Sequence, residues 1–144
     1  MEFSTVFADI AEQEAEVLVN AAETNLQMEG AVADALRSAA NGPIAETAEA
    51  ETPLSLGSVA VTEAYDLDAT YLIHAAATPS YGSSQASAAS IRAATNAVLS
   101  EAEQLGCQSL VMPVIGTGTA GFEFKKGAHI VCKAIAAHES SSLD

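Results

Sequence analysis

The amino-acid sequence predicts an α/β fold built on a mostly parallel sheet. Strand-like and helix-like segments alternate through most of the chain, as they do in proteins of this class. Residues 17–22 are apolar at nearly every position, which is typical of strands buried on both faces of a parallel sheet. With 144 residues and no internal repeat or linker, we expect one domain over residues 1–144.

Each predicted element has a local signal. Short apolar or alternating runs predict strands at residues 3–8, 17–22, 57–62, 71–76 and 109–113. Helical spacing of apolar residues predicts helices at residues 31–40, 44–50, 90–105 and 125–138. Asn41 with Gly42 and Gly106 are expected helix ends, and Pro43 suits the first position of the helix that follows it.

The charge balance excludes one class of partner. The chain has 19 acidic and 5 basic residues, for a net charge of −14. Non-specific binding to nucleic acid needs many cations, so we do not expect it. An acidic, lysine-poor surface suits a high-salt cytoplasm, because salt screens the repulsion between like charges. We therefore hypothesise that the protein comes from a halophilic organism, specifically an archaeon.

No membrane, cofactor or metal partner is expected. No apolar run approaches the ~18 residues of a membrane span, and residues 1–4 lack the features of a signal peptide. These observations predict a cytoplasmic protein. Cys107 and Cys132 are too few for a disulfide scaffold or a zinc site, and we expect both to be small core thiols.

A glycine-rich loop is the main candidate for ligand binding. Residues 116–122 lie between a predicted strand and a predicted helix and contain three glycines, two threonines and no charge. Such a loop can bring backbone N–H groups close to an anion, although a tight turn without a ligand has the same composition. Ligands of open α/β sheets bind at the carboxyl ends of the strands, which places Asp9, Asn20 and this loop on one edge.

Four motifs in order resemble the macro domain family over nearly the whole chain. They are Asp9-Ile10; Val19-Asn20-Ala21-Ala22-Glu23 followed by Gly30-Ala31-Val32; Gly57-Ser58-Val59-Ala60-Val61-Thr62 with Ile73-His74; and the run from Pro113 to Phe122. The resemblance implies a three-layer α/β/α fold. It also implies a pocket for ADP-ribose, either free or attached to a macromolecule.

The resemblance assigns a role to each position of this pocket. Asp9 would accept a hydrogen bond from the adenine amine, and the Ile10 N–H would donate to the adenine ring. Asn20 and Phe122 would lie at the distal ribose, where Asn20 or Glu23 would assist a water in a catalytic version. Backbone groups on two sides would hold the diphosphate: Gly30, Ala31 and Val32 on one, and Gly116, Thr117, Gly118, Thr119, Ala120 and Gly121 on the other.

The chain departs from the family pattern in three places. Glu23 stands where the family has an asparagine, and it would either turn to solvent, weaken affinity or act as a general base. Gly30 alone remains of a glycine triple, and Ala33 occupies the position of a hydrolase-branch aspartate. The sequence also stops where a further strand usually follows. We therefore expect a missing or shortened C-terminal strand, with an exposed sheet edge open to a second copy of the chain.

Three functions are compatible with these residues. The first is a module that binds ADP-ribose or ADP-ribosylated partners. The second is a hydrolase of an ADP-ribosyl ester, O-acetyl-ADP-ribose or ADP-ribose-1″-phosphate. The third is a degenerate fold that serves as a structural or other nucleotide-binding protein. Structural alternatives also exist for single residues: a capping role for Asp9, a loop-tying amide for Asn20, and core positions for His74 and Phe122.

The halophilic hypothesis predicts that the melting temperature rises steeply between low and molar KCl. The physical reason is the screening of repulsion among the 19 carboxylates. Thermal unfolding followed by circular dichroism would measure this, and equal stability at both salt concentrations would count against the hypothesis.

Overall fold

A computed structural model describes residues 9–26, 31–52, 54–80, 85–117 and 122–138. A short 3₁₀ helix at Ile10–Glu12 comes first in these ranges and was not predicted. The other elements, in chain order, are β1 (Val17–Glu23), α1 (Ala31–Ala40), α2 (Ile44–Glu49), β2 (Val59–Glu63), β3 (Tyr71–Thr78), α3 (Ala88–Gln104), β4 (Leu110–Val111) and α4 (Phe124–Ala137). None of the helices in these ranges combines the length and apolar character needed to cross a membrane.

The strands form one sheet in the order β2-β3-β1-β4. β1 pairs in parallel with both β3 and β4, and β2 pairs with β3 in the antiparallel direction. β3 is buried at seven of its eight positions and β1 at its first four. The mostly parallel sheet predicted from the sequence is thus confirmed.

Helices cover both faces of this sheet. Val17 and Val19 of β1 face a core cluster shared with Ile91 of α3 and Val131 of α4. Leu18, between them, faces a second cluster built with residues of α1 and α2. Alternate residues of one strand therefore enter different cores, as the pleat requires. The expected three-layer α/β/α arrangement is confirmed.

The ends of α1 and α3 were predicted correctly, whereas the predicted start of α3 was too late. Asn41 and Gly106 follow α1 and α3 with φ of +52° and +74°, as expected of helix ends. α3 begins at Ala88, two residues earlier than predicted, because Ser87 and Ser90 form a reciprocal capping box. The Ser90 hydroxyl also donates to the Ala77 carbonyl at 2.7 Å, which fixes α3 on the end of β3.

The bounds of four predicted strands need correction. β2 is Val59–Glu63 rather than 57–62, and β3 continues to Thr78, beyond the predicted end at residue 76. β1 continues to Glu23, beyond the predicted end at residue 22. The predicted buried strand at 109–113 is only Leu110–Val111 and is half-buried. Pro113 has no N–H to donate, and within the described ranges β4 pairs with β1 alone. The predicted strand at 3–8 and the expected C-terminal shortening lie outside the described residues.

The two thiols differ in burial. Cys107 is 2% exposed and belongs to the core cluster under α3, and burial raises the pKa of its thiol. Cys132 on α4 is half-buried. The expectation of a core thiol is therefore confirmed for Cys107 and only partly for Cys132.

A hydrogen-bonded histidine lies inside the sheet. His74 of β3 is fully buried, and its Nδ1 lies 3.0 Å from the Asn20 amide nitrogen on β1. Because an amide nitrogen donates, Nδ1 accepts and the proton sits on Nε2, which donates to the Thr62 hydroxyl at 3.0 Å. Burial lowers the pKa of His74 to about 4. The predicted core role of His74 is confirmed.

This burial predicts a loss of stability on acidification. The unfolded chain protonates His74 near pH 6.5, whereas the folded chain does so only near pH 4, so stability falls as pH drops across this window. The shift corresponds to about 3 kcal/mol for this group. Urea unfolding of wild type and His74→Gln from pH 7 to 4 should show a stability difference that shrinks with falling pH. A difference independent of pH would contradict the assignment.

Candidate functional site

The site lies where three parallel strands end on the same edge of the sheet. β1 ends at Glu23 and β3 at Thr78, and residues 112–117 follow β4. Since β3 and β4 both run parallel to β1, these three ends meet at one edge. In open α/β sheets this is the edge at which ligands bind.

A tight turn follows β1. The register shifts between Ala22 and Glu23, so that Glu23 lies opposite Thr78. The Leu26 N–H donates to the Glu23 carbonyl at 3.0 Å, and Leu26 adopts a φ of +50° while 99% of its surface is buried. A non-glycine residue in this conformation needs support from its surroundings.

That support comes from a reciprocal pair of hydroxyls, here named the Thr24–Ser80 clamp. The Ser80 N–H donates to the Thr24 hydroxyl, and the Asn25 N–H donates to the Ser80 hydroxyl, both at 3.0 Å. The Thr24 N–H also donates to the Thr78 carbonyl at 3.1 Å. The clamp ties the turn after β1 to the segment after β3.

The loop after β4 is packed against α3 through Gly116. Its φ is +79°, and a Cβ there would lie 2.8 Å from the Ala86 Cβ and 2.9 Å from the Ile91 Cγ1. Only glycine satisfies both the conformation and the close approach. The Thr117 hydroxyl donates to the Val114 carbonyl at 2.8 Å and closes the turn. Gly118, Thr119, Ala120 and Gly121 lie outside the described residues.

The same loop is packed against α4 through Gly127. A Cβ at Gly127 would overlap the Thr117 Cγ2 and would lie 3.2 Å from the Val114 Cγ1. Phe122 closes the loop by donating its N–H to the Gly116 carbonyl at 3.3 Å, and its half-buried ring packs against the core. The described residues at the start of the loop are thus packed against two helices, and the loop sequence contains no charged residue.

Ile10, which follows Asp9, lies against the start of α1. Asp9 is exposed and caps the 3₁₀ helix, with its Oδ1 accepting from the Ala11 N–H at 2.9 Å. Ile10 packs in the same cluster as Val32 of α1. This capping bond is the structural alternative considered for Asp9, and it engages one of the two carboxylate oxygens. Gly30 lies outside the described residues, as does the side chain of Ala31.

The expected position of Asn20 is wrong. Asn20 lies three residues before the end of β1 and is only 1% exposed, and its amide nitrogen contacts His74. The strand continues because Ala21 and Ala22 pair with Ala75 and Ala76. The amide nitrogen therefore ties β1 to the neighbouring strand β3. Glu23, not Asn20, is the residue at the strand end.

Three residues of this edge escaped the sequence analysis. Thr24 and Ser80 each follow an apolar strand by one or two residues, a placement that signals a shared edge once the strands are paired. Gly127 lies inside a predicted helix, where glycine is unfavourable and thus indicates close packing. Each signal depends on knowing which elements are neighbours in space.

The opposite edge of the sheet is unsuited to an anion. A shallow cleft of about 500 Å³ lies there between the amino ends of the strands, and its lining includes Glu14, Glu16 and Asp68. These carboxylates would repel a diphosphate. Within the described ranges, no group of three or more His, Cys, Asp or Glu side chains is arranged to hold a metal ion.

Comparison with known proteins identifies relatives of this chain. Residues 19–131 match the family model of the macro domain. An uncharacterized protein of Mycobacterium tuberculosis is 36% identical over 136 residues, which are 94% of this chain, and the chain spans only 37% of that relative. An uncharacterized protein of Saccharolobus solfataricus is 33% identical, with 99% of this chain and 81% of that protein covered.

Solved macrodomains share the fold. The Oceanobacillus iheyensis macrodomain with ADP has a TM-score of 0.84 at 21% identity, covering 94% of this chain and 76% of that one. The Trypanosoma brucei macrodomain in complex with ADP-ribose has a TM-score of 0.78 at 23% identity, covering 91% of this chain and 56% of that one. At these identities the likeness establishes the fold.

The packing at Gly127 predicts whether the substitution Gly127→Ala raises or lowers the free energy of unfolding. Helix propensity alone predicts that Gly127→Ala stabilises the chain by up to about 1 kcal/mol. Overlap with Thr117 predicts the opposite, a loss of about 1–3 kcal/mol. Chemical unfolding should therefore show destabilisation. Faster hydrogen exchange at residues 114–117 should accompany it. Ala136→Gly, at an exposed position of α4, is the control, and it should leave the hydrogen-exchange rates of residues 114–117 as in wild type. If Gly127→Ala were more stable than wild type, the close contact of Gly127 with Thr117 would be refuted.

Proposed function

Because this chain belongs to the macro domain family, we propose that it binds ADP-ribose or an ADP-ribose derivative at the carboxyl ends of β1, β3 and β4. One observation carries the proposal: Gly116 and Thr117, at the start of a loop whose sequence contains no charged residue, are packed against α3 and α4. A glycine-rich loop of this kind can offer backbone N–H groups to a diphosphate. This suits an acidic chain, which has few cations for the task.

The adenine would lie at the 3₁₀ helix. Asp9 uses Oδ1 for the helix cap, and among the described residues no donor contacts Oδ2, which can accept from the adenine amine. The N–H of Ile10 precedes the first hydrogen bond of the 3₁₀ helix and can donate to the ring. The ligands of the Oceanobacillus and Trypanosoma macrodomains support this choice of nucleotide.

The distal ribose would lie beside Phe122 and the end of β1. Phe122 is half-buried and fixed by its bond to Gly116, so its ring offers a firm apolar surface. Glu23, Gly30, Ala31, Val32 and the loop residues 117–121 complete the proposed contacts. Asn20 is left out of direct contact, since its amide is occupied inside the sheet. Its proposed role is to fix β1 against β3.

Binding is tested by calorimetric titration with ADP-ribose at high salt. Asp9→Ala should weaken both ADP-ribose and AMP about tenfold or more, because a hydrogen bond to a charged acceptor is lost. Asp68→Ala is the matched control, since it removes an exposed carboxylate on the opposite edge of the sheet. If millimolar ADP-ribose produces no binding heat and no thermal shift, the proposed function is wrong.

Hydrolysis is the second candidate function, and Glu23 favours it. This carboxylate stands at the end of the central strand, where it can act as a general base toward a water beside the distal ribose. Incubation with an ADP-ribosylated protein should then release ADP-ribose, and Glu23→Gln should stop the release while ADP-ribose still binds. Binding without release by wild type would leave a recognition module.

A further inference from the structure

The turn after β1 is tied to three other segments through Thr24. The Thr24 N–H donates to the Thr78 carbonyl at the end of β3, and the Thr24 carbonyl accepts from the Leu54 N–H ahead of β2, both at 3.1 Å. The Thr24 hydroxyl accepts from the Ser80 N–H as part of the Thr24–Ser80 clamp. Because Thr24 is only 5% exposed and its polar groups are engaged by the protein, it acts on the site by positioning its neighbours.

Glu23, directly before Thr24, lies on the side of the sheet that faces α3 and α4. Val19 belongs to the core cluster on that side, and Ala21 packs against it. Since side chains of a strand alternate between the two faces, Glu23 falls on the same side as these residues. Phe122 packs against this cluster too. The carboxylate and the ring are thus on one side of the sheet edge, where the distal ribose is proposed to lie.

The backbone around Glu23 is irregular. The register of β1 against β3 shifts here, so that Glu23 lies opposite Thr78 rather than Ala77. Irregularities of this kind re-aim side chains beside binding sites. Leu26, three residues on, has a φ of +50°, which a non-glycine residue keeps only when its surroundings hold it. The direction of the Glu23 carboxylate therefore depends on the hydrogen bonds that hold this turn, and the clamp supplies two of them.

We propose that Thr24 and Ser80 are positioning residues that set the specificity of the site: by fixing the turn that begins at Glu23, they make the chain prefer a ligand with a distal ribose to ADP. This inference rests on the proposed function. A carboxylate accepts hydrogen bonds from ribose hydroxyls and repels the terminal phosphate of ADP, which carries an additional negative charge. Both effects depend on where the carboxylate lies. The proposed contacts to adenine and diphosphate lie elsewhere, at Asp9 and at the loop from Gly116.

The test compares the dissociation constants of ADP-ribose and ADP by calorimetric titration. Wild type should bind ADP-ribose about tenfold more tightly than ADP. Ser80→Ala and Thr24→Val each remove one hydroxyl of the clamp and should lose most of this preference through weaker binding of ADP-ribose, whereas Thr24→Ser should keep it. Thr47→Val is the matched control and should also keep it, because it removes a half-buried hydroxyl that bonds Tyr65 at the opposite edge of the sheet.

A double-mutant cycle tests whether the clamp acts through Glu23. Glu23→Ala should itself remove the preference for ADP-ribose. Adding Ser80→Ala to Glu23→Ala should then change the ratio of the two dissociation constants by less than about twofold. A clamp that only stabilised the fold would instead lower the affinity for both ligands in parallel, and that result would overturn the inference.

The possible failures are distinguishable. If wild type does not bind ADP-ribose, the proposed function is wrong and this inference is lost with it. If wild type binds ADP-ribose with no preference over ADP, or if Ser80→Ala keeps the preference, only the role of the clamp is wrong. Should Thr24→Val fail to fold, Ser80→Ala decides alone, since it removes a single oxygen atom from a half-buried residue.

Discussion

The parallel pairing of β1 with β3 is the contact on which the other features of the fold depend. It runs from Val17 opposite Tyr71 to Glu23 opposite Thr78, through positions that are largely buried. Alternate residues of the pair enter the two cores, so a shift by one residue would exchange the faces. The same register brings the two strand ends together, and the Thr24–Ser80 clamp forms only because they meet.

A buried polar pair specifies this register. Asn20 lies directly opposite His74, and their side chains are joined by a hydrogen bond inside the sheet. A shift in register would break the hydrogen bond between the amide and the imidazole inside an apolar layer, at a cost of about 1–3 kcal/mol for each unsatisfied group. The pair therefore contributes more to selecting one register of β1 and β3 than to the free energy of unfolding. The hydrogen bond from the Asn20 amide forms only while His74 is neutral.

Structural features that depend on neighbouring residues in the chain could be predicted from the sequence, whereas features that depend on contacts between distant residues could not. The continuous apolar run at Val17 predicted a buried strand of a parallel sheet, and Gly106 predicted a helix end, because both signals are local. The buried contact of Asn20 with His74 could not be predicted, since it depends on pairing with residues more than fifty positions away. The close contact of Gly127 with Thr117 likewise arises only once α4 is folded onto the loop.

The two glycine contacts of the loop after β4 have a consequence for how this protein can vary. Backbone groups present the same chemistry whatever side chains they carry, so the identity of residues 118–120 matters less than the path of the chain. The start of the loop is positioned by Gly116 beside Ala86 and by Gly127 beside Thr117. Substitutions should therefore be tolerated at residues 118–120 and resisted at Ala86, Gly116 and Gly127, so that the loop depends in part on small residues of the elements packed against it.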